Sequence, residues 1–128
     1  MTEKKANSHK TLIVGATANP SRYAYLAAKM LAARGFDFIP IGIKMGEVFG
    51  KKIVNLRSKL KLEDIHTITL YLGADNQSEW IDYLIGLSPN RIIFNPGTEN
   101  SDFCEKASEA GIEVLQACNL VMLRTDQF

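Results

Sequence analysis

With 128 residues, 46% of them hydrophobic, and 15 basic against 14 acidic side chains, the chain has the size of one domain and a formal charge of +1. That balance excludes the broad positive field of a nucleic-acid-binding surface or a polybasic membrane anchor, so any anion site must be local. No window approaches the ~20 apolar residues of a membrane span. Residues 1 to 9 lack the apolar core of a signal peptide, and Cys104 and Cys118 have neither a C-x-x-C pair nor neighbouring histidines. The expectation is a cytoplasmic protein with reduced thiols, a polar tail over residues 1 to 9 and one domain over residues 10 to 128.

Residues 11 to 14 are a short apolar run that fits a strand buried on both faces. A glycine, Gly15, then leads through Ala16, Thr17 and Ala18 to Asn19 and Pro20. Asn19 reads as a helix N-cap and Pro20 as the first helical residue, with Ser21 and Arg22 in the first turn. Tyr23, Ala27, Met30 and Leu31 recur at helical spacing, and Gly35 ends the helix. Residues 36 to 41 are the second strand, in which Pro40 limits the ladder because it donates no hydrogen bond. Residues 42 to 62 read as a loop, a brief edge strand at Ile53-Val54 and a weak helical turn.

Residues 67 to 72 suit a central parallel strand. Asn76 and Glu79 form a capping-box pattern ahead of a helix whose buried stripe is Trp80, Leu84 and Leu87. A strand over 91 to 94, a turn at Asn95-Pro96-Gly97-Thr98 and a helix with Phe103, Ala107 and Ala110 inward follow. Gly111 closes that helix, residues 112 to 115 form the last strand, and residues 120 to 124 add a final helical turn. This alternation demands right-handed crossovers and gives a Rossmann-like three-layer α/β/α fold with a mostly parallel sheet of five to six strands. The strand at 67 to 72 belongs beside the first, opposite the strand at 36 to 41. The crevice then falls between the loops at 15 to 21 and 72 to 76.

A strand turning through one glycine into a helix start is where α/β proteins hold phosphate groups. The spacing is not the dinucleotide fingerprint, since Thr17 and Pro20 occupy its second and third glycine positions. Backbone N–H groups of the turn can take a pyrophosphate, Thr17 and Ser21 can add hydroxyl donors, and Arg22 can fork onto a phosphate. An ordinary capped turn accounts for the same residues. After the second strand an NAD site carries Asp or Glu for the ribose, whereas this chain reads Pro40-Ile41-Gly42-Ile43-Lys44. Lys44 suits a phosphate on the adenosine ribose, as in coenzyme A or NADP; Glu47 keeps NAD as a lesser alternative. Lys51, Lys52, Arg57, Lys59 and Lys61 read as a solvated edge. His9 and His66 lie away from the crevice, Cys118 and Asn119 could face it, and no catalytic or metal-ligating constellation emerges.

Val14-Gly15-Ala16-Thr17-Ala18-Asn19-Pro20, with Ile39-Pro40 and Lys44, resembles the small stand-alone bacterial CoA-binding proteins, relatives of the nucleotide-binding domain of succinyl-CoA synthetase alpha subunits. The likeness spans residues 10 to 124. It implies a Rossmann-like fold in which Gly15 to Arg22 hold the pyrophosphate and Lys44 lies near the ribose 3′-phosphate. It further implies that residues 71 to 74, including Tyr71, Leu72 and Gly73, and residues Asn95, Pro96 and Gly97 contact the adenine or the pantetheine arm. The chain departs from many members in having Gly42-Ile43 before the lysine and in its Asn95-Pro96-Gly97 turn. The synthetase's phosphorylated histidine belongs to another domain and is not carried over. The expected partner is a small nucleotide ligand: CoA or an acyl-CoA bound by a non-catalytic or accessory module. An NAD(P) enzyme or redox sensor, and an oligomeric interaction protein such as a homodimer with a vestigial cleft, are the alternatives.

Overall fold

The apolar runs pair into one sheet whose order is set by crossovers. In the computed structural model, which describes residues 9–128, β1 (Thr11–Val14) lies between β2 (Phe38–Gly42) and β6 (Thr67–Leu70). Beyond them come β5 (Val54–Asn55) on one side and β7 (Arg91–Phe94) and β8 (Glu113–Gln116) on the other. All six strands are parallel, in the order β5-β2-β1-β6-β7-β8. Helices α1 (Tyr23–Ala33) and α4 (Asn119–Arg124) cover one face, and α2 (Ile81–Gly86) and α3 (Ser101–Glu109) cover the other. Leu12 and Val14 enter the core under α2 and α3, while Ile13 enters the one under α1. This is the side-to-side alternation of a strand buried on both faces.

Several element boundaries depart from the sequence reading, each for a traceable reason. Helix α1 ends in a Schellman motif, with Gly35 at φ +77°, its N–H on the Ala32 carbonyl and the Phe36 N–H on the Leu31 carbonyl. Phe36 is therefore used by the helix end, and β2 starts at Phe38 rather than 36. Gly111 and Ile112 repeat the pattern on the carbonyls of Ser108 and Ala107, which delays β8 from 112 to Glu113. The Asn76–Glu79 capping box does not form. Those residues lie in 3-10 turns over Ala74–Asn76 and Ser78–Trp80, and α2 begins at Ile81.

The stretch read as a plain loop contains a small antiparallel hairpin, β3 (Glu47–Val48) with β4 (Lys51–Lys52). It is pinned by buried Val48 and by Lys51 Nζ, which reaches both the Asp37 carboxylate and the Phe38 carbonyl at 2.8 Å. Lys51 is thus tied down rather than solvated, and Lys59 lies 5.7 Å from the centre of the Trp80 ring. The edge strand at β5 and the helical turn at Leu56–Ser58 are present as expected.

Pro40 is tolerated one strand in from the edge for a geometric reason. Along a strand successive residues present their peptide groups to opposite sides, and the Ile41 carbonyl faces β1, where it accepts from Gly15 N. The Pro40 nitrogen faces the other side, where β5 pairs only with Ile41 and Gly42, so no ladder bond is lost.

At the amino ends of the strands His9 stacks on His66, ring centres 3.8 Å apart and 6° from parallel. His9 therefore belongs to the folded body and not to a tail; residues 1 to 8 of the expected tail lie outside the described residues. Beside the pair, Arg91 bonds Thr67 Oγ1 at 2.8 Å and covers the Phe128 ring at 4.7 Å. Burial first, and then the Arg91 charge, hold the His9 imidazole below its ordinary 6.5. Burial, His9 and Arg91 do the same for His66, with Glu113 opposing them.

Lowered imidazole values mean that the unfolded chain binds protons more readily, so stability is present above 6.5 and is lost as pH falls through and below it. The melting temperature should fall between pH 7.5 and 5, and His66→Phe should flatten that fall; an unchanged slope would discount the pair. At the other end of the sheet, a Cβ on Gly42 would lie 3.0 Å from the Ala16 carbonyl oxygen and 3.2 Å from its nitrogen. Neither backbone atom can yield cheaply, so Gly42→Ala should cost about 1–3 kcal/mol in urea unfolding.

Candidate functional site

The order β2-β1-β6 makes the carboxyl ends of β1 and β6 a topological switch point, where successive crossovers leave to opposite faces and a crevice opens. A cavity of about 400 Å³ occupies it, within the range of ligand pockets. One side is built from Gly15, Ala16 and Thr17 after β1, from Arg22, Tyr23 and Ala24 at the start of α1, and from Ile43 and Lys44 after β2. The other comes from Tyr71, Leu72, Gly73 and Asn76 after β6 and from Pro96, Gly97 and Thr98 after β7.

The loop after β1 is fastened from below. Gly15 N and Ala16 N both donate to the Ile41 carbonyl, at 2.9 and 3.0 Å. Gly15 is required here, since it sits at φ +94° and a Cβ would meet Tyr71 C at 3.1 Å and Leu72 N at 3.2 Å. Next comes a separate turn. Asn19 Oδ1 accepts from the Ser21 N–H at 3.0 Å and from its hydroxyl at 2.8 Å, and Arg22 N donates to the Asn19 carbonyl at 3.1 Å.

Asn19 therefore caps a turn and not the helix, and Pro20 lies ahead of the first helical residue. The true N-cap is Arg22, extended at φ −100°, ψ 150°, with no side-chain cap. The consequence for the cavity is direct. The Tyr23 and Ala24 N–H groups have no acceptor among the described residues, and both residues line the cavity at the positive end of an 11-residue helix.

The cations at this lip carry no ion pair. Neither Arg22 nor Lys44 has a carboxylate partner among the described residues, whereas Lys51, at the far end of the hairpin, is paired with Asp37. The Lys44 loop is held at Gly46, whose carbonyl accepts from Ile53 N at 2.9 Å and where a Cβ would meet Ala18 Cβ at 3.1 Å. Thr17 Oγ1 accepts from Asn19 N at 3.1 Å, which leaves its hydroxyl proton free to donate. Among the described residues no carboxylate, histidine or cysteine lines the cavity. Burial pushes the Tyr71 phenol well above its ordinary value, so it stays protonated at neutral pH.

Of the residues singled out from the sequence, Gly15, Ala16, Thr17, Arg22, Lys44, Tyr71, Leu72, Gly73, Pro96 and Gly97 meet around the cavity. Asn19, Pro20, Ser21, Pro40 and Asn95 do not line it. Asn95 is buried in its wall, where Nδ2 donates to Thr69 Oγ1 at 2.8 Å and to the Leu70 carbonyl at 2.9 Å, and Oδ1 accepts from Asn119 N at 2.8 Å. Glu99 completes the turn by accepting from Gly97 N at 2.9 Å. Glu47 sits in β3, exposed and away from the cavity, and neither Cys118 nor the fully buried Asn119 reaches it.

Tyr23, Ala24, Ile43, Asn76 and Thr98 were not singled out and do line it. Tyr23 and Ala24 could not be found while Asn19-Pro20 read as a strong helix start. Thr98, by contrast, closes the predicted Asn95-Pro96-Gly97-Thr98 turn, and Asn76 the loop at 72 to 76 that was expected to border the crevice.

The described residues contain no helix long and apolar enough to cross a membrane. No curated protein matches the sequence. Among solved structures, the crystal structure of an uncharacterized protein is 49% identical over 94% of this chain and 98% of its own, with a TM-score of 0.91. A hypothetical protein from Pyrococcus horikoshii OT3 is 29% identical over 96% of this chain and 84% of its own, with a TM-score of 0.79. A cell-free product, ID.343, from Thermus thermophilus shares the fold at 22% identity, covering 99% and 98% of the two chains at a TM-score of 0.80. A family model described as CoA binding domain matches residues 9–124. Because that match takes in every strand of the parallel sheet and all four helices, the chain belongs to the CoA binding domain family.

Proposed function

We propose that this protein binds coenzyme A, or an acyl-CoA, in the cavity at the β1/β6 switch point, as an accessory module without chemistry of its own. The observation that carries the proposal is the lip of the cavity. Two backbone N–H groups at the start of α1, the Thr17 hydroxyl, and the cations Arg22 and Lys44, none of them with an acceptor or carboxylate partner among the described residues, all border one open space. A pyrophosphate is the group that such a set satisfies: the helix start and Thr17 supply directed donors, and Arg22 can fork onto it. Lys44 stands after β2, on the side where the adenosine ribose of a doubly wound site lies, and takes the 3′-phosphate as a point charge.

NAD is disfavoured by the same geometry, because among the described residues no acidic side chain lines the cavity after β2, Glu47 included. The accessory role rests on the lining itself. Among the described residues no carboxylate, imidazole or thiol lines the wall, so the hydroxyls of Thr17, Tyr71 and Thr98 and the Lys44 amine have no such group in the lining to activate them. The opposite wall, from Tyr71 to Gly73 and from Pro96 to Thr98, is uncharged and fits the remainder of a molecule whose charge is concentrated at its phosphates.

Titration calorimetry should find CoA at least tenfold tighter than dephospho-CoA, ~1.4 kcal/mol, because only CoA carries the 3′-phosphate. Lys44→Glu should remove that difference and weaken CoA far more than dephospho-CoA; equal affinities for the wild-type protein would remove Lys44 from the ribose phosphate. Arg22→Ala should weaken both ligands by a similar factor, about tenfold, and raising the salt from 50 to 300 mM should weaken both in the wild type. NAD and NADP tested in parallel should bind at least tenfold more weakly than CoA, and tighter binding of either would transfer the cavity to a nicotinamide nucleotide.

A further inference from the structure

We infer that Gln77 is a positioning residue for this cavity: it fixes the separation of the two loops that form the uncharged wall, and so sets ligand affinity without touching ligand. The ladder between β6 and β7 ends at the pair Leu70 and Phe94. Beyond it the two loops have no strand pairing to hold them together, yet Leu72 comes from one and Thr98 from the other, and both line the cavity. Gln77 supplies what the ladder no longer does. Its Nε2 donates to the Leu72 carbonyl and to the Thr98 carbonyl, each at 2.8 Å. Its Oε1 accepts from Asn100 Nδ2 at 3.0 Å, and Asn100 Oδ1 in turn caps α3 at Phe103 N, 3.2 Å away.

Among the described residues the Gln77 bonds with Thr98 and Asn100 are the only hydrogen bonds between residues 71–80 and residues 96–100. Gln77 is 1% exposed and does not line the cavity, so it acts from behind the wall. The carboxamide is suited to the task. One nitrogen with two N–H groups meets two carbonyls, and an oxygen at the other end meets a donor. Leucine would leave the buried Thr98 carbonyl and the part-buried Leu72 carbonyl and Asn100 amide without this partner, and glutamate would set a carboxylate against two carbonyl oxygens.

The inference rests on the CoA reading only for its choice of ligand. Amide hydrogen exchange without ligand and calorimetry with CoA, on wild type, Gln77→Leu and Gln77→Glu, test the two separately. In Gln77→Leu the Asn76 and Thr98 amides should exchange at least tenfold faster while those of β1, β6 and β7 keep their rates, and CoA should bind at least tenfold more weakly. In Gln77→Glu, whose buried carboxyl has a raised pKa, affinity relative to wild type at the same pH should recover as pH falls from 8 to 5.5, since the protonated side chain regains one donor.

CoA affinity within twofold of wild type in Gln77→Leu, faster exchange spread evenly over all strands, or a flat pH response of Gln77→Glu would each overturn the positioning role. A wild-type protein that fails to bind CoA would overturn the ligand reading instead, and the exchange measurements would still decide whether Gln77 braces the wall.

Discussion

The Ile41 carbonyl, accepting at once from Gly15 N and Ala16 N, is the constraint on which the site depends. It ties the exit of β1 to the end of β2 and requires Gly42 beside it, because a Cβ there would press on the Ala16 backbone. Buried amides need partners, and these two find theirs within the protein. The first donors of the loop are thereby withdrawn from any ligand. The chain must travel through the Asn19–Arg22 turn before α1 begins, and the Tyr23 and Ala24 N–H groups at the cavity are left without an acceptor among the described residues. A phosphate held here would face a helix end rather than a glycine-rich loop, consistent with a chain that has only one glycine in that turn.

The two sides of the cavity are built on different principles. The lip formed by α1 and the Lys44 loop carries cations and N–H groups that have no partner among the described residues. The wall beyond β6 and β7 is uncharged and is braced from behind by buried carboxamides. Asn95 joins Thr69, Leu70 and Asn119 at the level of the strand ends, and Gln77 joins Leu72, Thr98 and Asn100 one layer further out. Loops that leave a parallel sheet have no ladder to hold them, and a long, flexible ligand gains affinity only from walls already in place. Buried carboxamides provide that order without adding charge to the wall.

What was legible in the sequence followed from patterns that short stretches carry whole. Continuous apolar runs marked β1, β6 and β7 as buried parallel strands, and the alternation with helices set the order around β1. Lys44 was legible as a cation in a place where an NAD site would have an acid. What was not legible were cases where two local signals competed. Asn19-Pro20 is a strong helix start, yet its side chain is used by Ser21 and the helix waits for Tyr23. Asn76 and Glu79 have capping-box spacing, yet Gln77 between them is drawn into the wall by Leu72 and Thr98, and the chain there coils into 3-10 turns. Gly35 and Gly111 were read correctly as helix ends, but the Schellman bonds that follow absorb Phe36 and Ile112 and delay the next strand each time. The β3–β4 hairpin depends on Lys51 reaching Asp37 and Phe38, a contact between residues that no period of hydrophobicity links.

The sequence by itself determined the class of fold, the position of the crevice and the sign of the charge beside it. Those depend on periodicity, on the handedness of crossovers and on single residues at strand ends. Only the tertiary structure decided which amides stay open to the crevice and which are taken by Ile41. It alone brought Tyr23, Ala24 and Lys44 around one space and made Asn95 and Gln77 supports behind its wall. Hydrogen-bond partners distant along the chain are assigned by how the strands pack, and every polar group that packing satisfies is removed from the set a ligand can use.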